Sequence, residues 1–238
     1  MQSGKVLMLY LEPTPYLLGL IACLRQRWSA GLDVVFAGTN LSQRWELPLE
    51  RDGLELLPHD RRQLWRRLRE LIGSRRHCVI HLAGWGGHPA LTMALLLAWW
   101  HGIAVTVESD TPLPPRLAWW KRGIKRLAYP LLFRLPALFM PGGTRQAAML
   151  AHYGVPAARI SIVGMTVDVT AISAHVRAID PQQRTAIRER LGIVAGDVVL
   201  LYVGRMEPHK GIADLLEAFR GLGQPQARLL LVGEGSLS

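Results

Sequence analysis

Cysteine is scarce in this chain, and its scarcity excludes several kinds of site. The 238 residues include two cysteines, Cys23 and Cys78, and both lie in apolar stretches. Two isolated cysteines form no disulfide framework, and without a C-x-x-C pair the sequence gives no basis for a thiolate metal site or a thioredoxin-like redox site. We interpret both residues as packed thiols.

Metal-ligand patterns and familiar hydrolase motifs are missing as well. The eight histidines are scattered without the spacing of metal ligands, so we expect neither a bound metal nor any other cofactor. The G-x-S-x-G, H-E-x-x-H and P-loop patterns do not occur. The sequence signatures of serine hydrolases, zinc metalloproteases and P-loop nucleotidases are therefore absent.

Hydrophobic runs long enough to span a bilayer are also lacking. The longest apolar run, residues 89–100, is too short for a membrane span and is better explained as a buried helix. The N-terminus runs directly into an apolar, strand-like segment, without the ordered parts of a signal peptide. We expect a cytoplasmic protein, with a peripheral position at the inner face of the cell membrane as a further option.

Acidic residues are outnumbered, and the imbalance is confined to one part of the chain. Residues 1–165 contain 20 Lys and Arg against 10 Asp and Glu, whereas residues 166–238 contain 8 of each, so the first part accounts for the whole net charge of +10. A surplus of this kind acts on an acidic partner, which can be a lipid surface, a nucleic acid or a phosphorylated substrate.

The hydrophobic pattern predicts an α/β protein with a parallel sheet. Apolar, β-branched runs alternate with helical stretches, and each connection is long enough for a crossover between parallel strands. We predict strands near residues 5–11, 33–37, 54–58, 77–82, 103–108, 137–141 and 160–163. We predict helices over residues 16–28, 61–72, 89–101, 116–134 and 144–153.

A second domain is predicted to begin after Asp168. Residues 169–179 have no strong period and are interpreted as a connector, after which Asp180-Pro181 gives a helix start and Gly192 a stop. Strands at 198–203 and 228–232 then flank a helix at 211–220. Because two strands do not complete a doubly wound sheet, we expect domains at 1–168 and 169–238, with on the order of 100 residues missing from the second.

The segment from Leu201 to Ile212, LYVGRMEPHKGI, has the features of a diphosphate site. A buried strand ends at Val203, Gly204 allows close approach, and Arg205 and Lys210 follow just before a helix N-terminus. Two cations and helix amides at the carboxyl end of a strand can bind a diphosphate. The alternative is that both cations are solvated loop charges.

This stretch resembles the donor-binding domain of family-4 glycosyltransferases. G-R-x4-K-G is followed by L-x-x-A-F at 215–219 and by a strand ending in V-G-x-G at 232–235, and the similarity extends over residues 184–238. It implies a GT-B-like fold, a nucleotide sugar substrate, retention of anomeric configuration and no metal. It also implies that Arg205 and Lys210 hold the diphosphate and that Gly233 and Gly235 lie beside the nucleotide, although V-G-x-G alone can be a plain turn.

The first domain resembles the same family more loosely, in the order of its elements from residue 137 to Asp168. Pro13-Thr-Pro-Tyr16 and Arg44-Trp45 resemble a subset that makes polysaccharides and surface glycans, which places Tyr16 on the acceptor side. The chain departs from the family in three places. Residues 12–16 replace a glycine pair, Glu108-Ser109-Asp110 replaces a histidine, and the glutamate that grips the donor ribose lies beyond the chain.

Two groups in the first domain are candidates for acceptor chemistry. Glu108 and Asp110 follow an apolar strand, where a carboxylate can accept a hydrogen bond from an acceptor hydroxyl and act as the catalytic group. The alternative is a capping and turn role before Thr111-Pro112. Gly84-Trp-Gly-Gly-His88 can place amides and His88 near an anion, or it can be a glycine turn required by packing.

Two basic stretches combine cations with apolar residues. One spans residues 61–76, and the other contains Trp119, Trp120, Lys121, Arg122, Lys125 and Arg126. Such helices lie on anionic bilayers, and a lipid-linked acceptor would bring the enzyme there. The alternative is a helix with one core face and one solvated face. We expect no nucleic-acid partner, because no DNA- or RNA-binding motif is present.

The sequence therefore predicts two Rossmann-like domains across a cleft that move a sugar from a nucleotide diphosphate to a glycan or lipid-linked acceptor. The rival interpretation is an inactive fragment or a non-catalytic basic module that docks on a membrane or a partner protein.

Overall fold

The computed structural model describes residues 4–28, 31–39, 54–114 and 118–237. Arg44 and Trp45, which we associated with glycan synthesis, lie outside the described residues. The chain divides into two compact units, Met1–Val169 and Thr170–Ser238. Each unit is described separately below.

The first unit contains a parallel sheet of six strands in the order β3-β2-β1-β4-β5-β6. The strands are Lys5–Tyr10 (β1), Leu32–Phe36 (β2), Leu54–Leu56 (β3), His77–Leu82 (β4), Ala104–Ser109 (β5) and Leu138–Pro141 (β6). Every neighbouring pair is parallel, and the order reverses between β1 and β4. Ligands of such sheets bind where the order reverses, outside the carboxyl ends of the strands.

Helices of the first unit follow its strands as the sequence predicts. They are Pro15–Arg27 (α1), Arg61–Gly73 (α2), Pro89–Trp100 (α3), Trp119–Leu132 (α4) and Thr144–His152 (α5). Residues at the helix N-terminus favour the start of α2 and of α3. Asp60 caps α2 by accepting hydrogen bonds from the amides of Arg62 and Gln63, and Pro89 occupies the first turn of α3.

The two faces of this sheet are covered differently. Leu7 and Leu9 of β1 pack into an apolar cluster with α2, α3 and α5, whereas Met8 and Tyr10 pack with α1. Alternate residues of a strand point to opposite faces, so β1 contributes to both cores. On the face covered by α1, Thr106 and Glu108 of β5 are only half-buried, which leaves polar side chains at the carboxyl end of the strand.

The second unit begins with two helices and continues with a parallel strand pair. Its elements are Val169–Ala178 (α6), Pro181–Arg190 (α7), Val198–Val203 (β7), Ile212–Gly221 (α8) and Ala227–Val232 (β8). Asp180 and Gln183 form a complete capping box at the start of α7. The strands pair in parallel from Val198 with Ala227 to Val203 with Val232.

Two predictions about secondary structure were wrong. Residues 160–163 form no strand, although Ile160 makes one bridge to Phe139, and the amides of Ser161 and Val163 donate to Phe139 and Pro141 beside β6. Residues 169–178 form helix α6 rather than a connector. Three large apolar residues of this helix, Val169, Ile172 and Val176, have helical spacing, and all three are exposed. Three such residues give only a weak helical pattern in the sequence. The predicted α/β, GT-B-like fold is confirmed.

Candidate functional site

A cleft of about 640 Å³ opens at the carboxyl ends of β1, β4, β5 and β6 in the first unit. Its walls come from the segments that follow these strands: residues 10–12, 83–87, 108–111, 140–142 and 163–166. The first turns of α1 close one side with Tyr16 and Leu17. The cleft therefore lies where the reversal of strand order predicts a ligand site.

Glu108 is held in this cleft by a histidine on the neighbouring strand. The Nε2 atom of His81 lies 3.0 Å from Oε1 of Glu108, and its Nδ1 lies 2.8 Å from Oγ1 of Thr106. A neutral imidazole satisfies both bonds if Nε2–H donates to the carboxylate and the Thr106 hydroxyl donates to Nδ1. The His81 side chain is buried and Glu108 is 41% exposed, so Glu108 is oriented and still accessible.

Tyr10 packs beside this pair. Its ring centroid lies 5.8 Å from that of His81, and the phenol is buried. Burial, and then the negative charge of Glu108, raise the pKa of the Tyr10 phenol. Tyr10 is therefore a neutral hydroxyl in the cleft.

Asp110 and Ser109 occupy different environments from Glu108. Asp110 follows the end of β5 and is exposed, and its backbone carbonyl accepts a hydrogen bond of 3.1 Å from the Gln146 side chain. Ser109 is buried, and its Oγ has no hydrogen-bond partner among the described residues. All three residues line the cleft, but Glu108 alone of them bonds to His81.

Tyr16 lines the cleft, whereas His88 follows the lining residue Gly87 and is not part of the lining. Tyr16 is exposed, as an acceptor-side residue would be. His88 caps α3, because its Nδ1 accepts the Ala90 amide proton at 3.2 Å. Burial, and then the charge of His59, lower the pKa of His88, which keeps the capping lone pair available. Trp85, in the preceding glycine loop, packs edge-on against Phe133 at 5.0 Å, which supports the packing interpretation of this loop.

The candidate diphosphate site lies in the second unit, between β7 and α8. Arg205 comes two residues after the end of β7, and Lys210 ends a 3₁₀ turn over Pro208–Lys210. Gly211 has φ of 71°, a left-handed conformation that favours glycine, and α8 begins at the next residue. Arg205 and Lys210 are exposed and form no ion pair with residues that the structure describes.

The loops after β7 and β8 are fastened to each other. The Met206 amide donates to the backbone carbonyl of Glu234 at 2.9 Å, and the Leu237 amide donates to the backbone carbonyl of Met206 at 3.0 Å. The Glu207 carboxylate accepts from the hydroxyl of Ser236 at 2.7 Å and from its amide at 3.3 Å. These two hydrogen bonds are the main reason why the pKa of Glu207 is lowered.

Gly233 and Gly235 are required by this close approach. A Cβ atom at position 233 would collide with the carbonyl oxygen of Gly204, and one at position 235 would collide with that of Met206. The structure thus explains both glycines by packing of the two loops. Their predicted place beside a nucleotide stays a prediction.

The six residues assigned to the membrane side all lie on α4. Trp119 and Trp120 are exposed, with Lys121 Nζ 5.1 Å above the Trp120 ring and Lys125 Nζ 5.3 Å above that of Tyr129. None of the six lines the cleft. Among the described residues, no helix is long and apolar enough to cross a membrane, and no three potential ligands group as a metal site would need.

Two features of the site were not predicted: Tyr10 as a lining residue of the cleft, and His81 and Thr106 as the hydrogen-bonded residues behind Glu108. The pairing of His81 with Glu108 was not predicted, because the two residues are 27 positions apart along the chain. A weak signal was present in β5, where Thr106 and Glu108 alternate with the buried Val105 and Val107.

Comparisons with known proteins agree with the resemblance of residues 184–238 to glycosyltransferases. Residues 183–238 match the model of the family "Glycosyl transferases group 1". A D-inositol 3-phosphate glycosyltransferase of Geodermatophilus obscurus is 40% identical over 70 residues, which are 29% of this chain and 14% of that protein. A protein of the same name from Xylanimonas cellulosilytica is 34% identical over 95 residues, 39% of this chain and 22% of the relative.

Solved structures show a similar fold over nearly the whole chain. Anabaena Alr3699/HepE in complex with UDP and glucose superposes with a TM-score of 0.71 at 18% identity, covering 98% of this chain and 61% of that one. UDP-GlcNAc 2-epimerase from Neisseria meningitidis, bound to UDP-GlcNAc, gives 0.57 at 12% identity, covering 95% and 64%. At these identities the likeness shows the fold alone.

The resemblance to group 1 glycosyltransferases is therefore confirmed in sequence for residues 183–238, and the structural neighbours show the fold alone. The chain spans less than a quarter of the length of the two curated relatives and less than two thirds of these structural neighbours.

Proposed function

We propose that this protein transfers a glycosyl group from a nucleotide diphosphate sugar to an acceptor hydroxyl. The observation that supports this most is the match of residues 183–238 to group 1 glycosyltransferases, in the segment that contains Arg205 and Lys210. UDP or a UDP-sugar in the solved structural neighbours supports a nucleotide sugar as the donor.

Arg205 and Lys210 bind the diphosphate of the donor in this proposal. When the bond between the anomeric carbon and the diphosphate oxygen breaks, its electron pair goes to the diphosphate, whose negative charge increases. Two cations and the N-terminal amides of α8 stabilise that charge. No metal is needed for this step, because the cations supply the positive charge.

The acceptor binds in the cleft of the first unit. Glu108 accepts a hydrogen bond from the reacting hydroxyl, and His81 holds the carboxylate in place. Oriented in this way, the hydroxyl attacks the anomeric carbon and its proton is lost to solvent or to the departing diphosphate. Tyr16 and Asp110 at the rim contact the remainder of the acceptor. In line with the family resemblance, we propose retention of anomeric configuration and an acceptor that belongs to a polysaccharide or surface glycan.

Donor binding tests this function without knowledge of the acceptor. A panel of nucleotide diphosphate sugars is titrated into the protein by calorimetry. The nucleotide sugar that binds is then tested for release of its nucleoside diphosphate in the presence of candidate glycans. We expect at least one donor to bind at micromolar to millimolar concentration. If none binds up to about 10 mM, where the interaction free energy is below about 3 kcal/mol, the chain is instead a non-catalytic module.

A further inference from the structure

Helix α4 presents apolar residues on two opposite sides. Tyr129 and Leu132 pack toward the core of the first unit. Trp120, Ile124, Leu127 and Leu131, which we call the outer stripe, are spaced i, i+4, i+7 and i+11 and therefore share one face. All four are exposed, Leu127 by 77% and Leu131 by 62%. A core helix normally exposes polar residues there.

The charges before, within and after α4 along the chain have a single sign. No Asp or Glu occurs between Asp110 and Asp168, whereas that interval contains eight Lys and Arg residues. Four of them, Lys121, Arg122, Lys125 and Arg126, lie on α4. At the geometry of an α-helix, Lys121 and Arg126 fall to either side of the outer stripe.

This combination matches an anionic lipid surface better than a protein or a nucleic acid. Leu127 and Leu131 gain by leaving water, exposed tryptophans at the start of the helix favour the interface, and the cations attract acidic headgroups. A nucleic acid offers nothing for the outer stripe. We infer that α4 lies in the plane of an anionic bilayer, with the outer stripe inserted and the cations at headgroup level.

The inference goes beyond sugar transfer and is independent of the donor site. It gives the charge surplus of the first part of the chain a target and would place the protein where lipid-linked acceptors are found. Binding to lipid and binding to nucleotide are separate measurements, so either can fail alone.

Co-sedimentation with vesicles tests the inference. The protein is mixed with vesicles of phosphatidylcholine alone, or with about one third phosphatidylglycerol, at low and at physiological ionic strength. We expect strong binding to the acidic vesicles, weaker binding as salt increases because the Debye length falls from about 30 Å to about 8 Å, and little binding to neutral vesicles.

Two variants separate the apolar contribution to vesicle binding from the electrostatic one. Replacing Leu127 and Leu131 by Ser should weaken binding to acidic vesicles about tenfold or more, since both positions lose the free energy gained when a leucine side chain leaves water. Replacing Lys121, Arg122, Lys125 and Arg126 by Gln should remove the preference for acidic lipid. The matched control replaces Arg61, Arg62, Arg66 and Arg69 of α2 by Gln, which removes the same charge from another exposed helix and should retain most of the binding.

Circular dichroism and nucleotide binding of each variant establish that the fold persists. Three results would overturn the inference: no binding to acidic vesicles at low salt, equal loss in the α2 and α4 charge variants, or a dimer of the wild type that the Leu127→Ser, Leu131→Ser variant dissociates. The last result would assign the outer stripe to a second copy of the chain.

Discussion

His81 and Glu108, on neighbouring strands of the first sheet, are joined by a hydrogen bond of 3.0 Å at the floor of the cleft. The register pairs His81 with Thr106, so the residue two positions further along β5 points to the same face and reaches the imidazole. Polar side chains thus replace the apolar ones that would otherwise cover this face of the sheet.

Glu108 is predicted to act on the acceptor rather than on the donor. Glu108→Gln keeps the shape but removes the charge, and it should lower turnover by about a hundredfold or more while leaving affinity for the nucleotide sugar unchanged. Steady-state kinetics and calorimetry measure the two effects. Asp110→Asn is the comparison, since Asp110 lacks the bond to His81 and contacts only the remainder of the acceptor; an equal loss of turnover in both variants would contradict the special role of Glu108.

His81 should act through Glu108 as a positioning residue. His81→Ala leaves the Glu108 carboxylate without its partner, so turnover should fall while affinity for the nucleotide sugar stays unchanged. A variant that retains one donor, His81→Gln, should recover part of the activity. If both variants merely unfold the protein to the same extent, with unchanged kinetics in the folded fraction, His81 is structural only.

The charge of Asp33, near the amino end of β2, predicts that stability depends on pH. Burial acts to raise its pKa, but the hydrogen bond with His77 and the charges of Lys5 and Arg76 outweigh it, and the pKa of Asp33 is lowered. A carboxyl with a lowered folded-state pKa stabilises the fold above its unfolded pKa, about 3.9, and this contribution is lost as pH falls through the folded value.

Asp33→Asn should therefore lower the free energy of unfolding at pH 7 by about 1–2 kcal/mol, and by less near pH 3. Urea unfolding at the two pH values measures the difference. Asp110→Asn, an exposed aspartate of the same unit, should have little effect at either pH. If Asp33→Asn lowers the free energy of unfolding equally at both pH values, the charge of Asp33 is not what stabilises this end of the sheet.

Substitution of Gly233 or Gly235 should destabilise the second unit by steric conflict. Gly233→Ala or Gly235→Ala should destabilise this unit by about 1–3 kcal/mol, because the new methyl group meets backbone atoms that cannot easily move. Gly221→Ala, at the end of α8, has open space around the new methyl group and should be neutral or slightly stabilising. Hydrogen exchange of the β7 and β8 amides distinguishes them, and equal exchange in all three variants would contradict the packing.

The sequence predicts most of this fold because its signals are local. The strand runs, Asp60 as a cap and the Asp180–Gln183 capping box are each readable within a few residues, and the structure contains them. Helix α6 was missed because only three large apolar residues, Val169, Ile172 and Val176, mark its helical spacing. The strand at 160–163 was overpredicted because three of its four residues, Ile160, Ile162 and Val163, are β-branched, and yet the segment makes only one bridge to β6.

The candidate site was less predictable because its contacts join distant parts of the chain. Arg205 and Lys210 were predicted from a single motif, in which they are five positions apart. His81 with Glu108, and Gly233 with Gly204, depend on strand register and on the approach of two loops, which residue spacing does not reveal.

One measurement tests the central claim most directly: the preference for a nucleoside diphosphate over its monophosphate. Calorimetry is performed with the nucleotide pair that binds best, on the wild type, on Arg205→Ala and Lys210→Ala, and on Arg220→Ala, an exposed arginine of α8, as control. We predict that the wild type and the control prefer the diphosphate, and that each site variant loses about 1.5–3 kcal/mol of diphosphate binding with little change for the monophosphate. Unchanged diphosphate binding in both site variants would contradict the account.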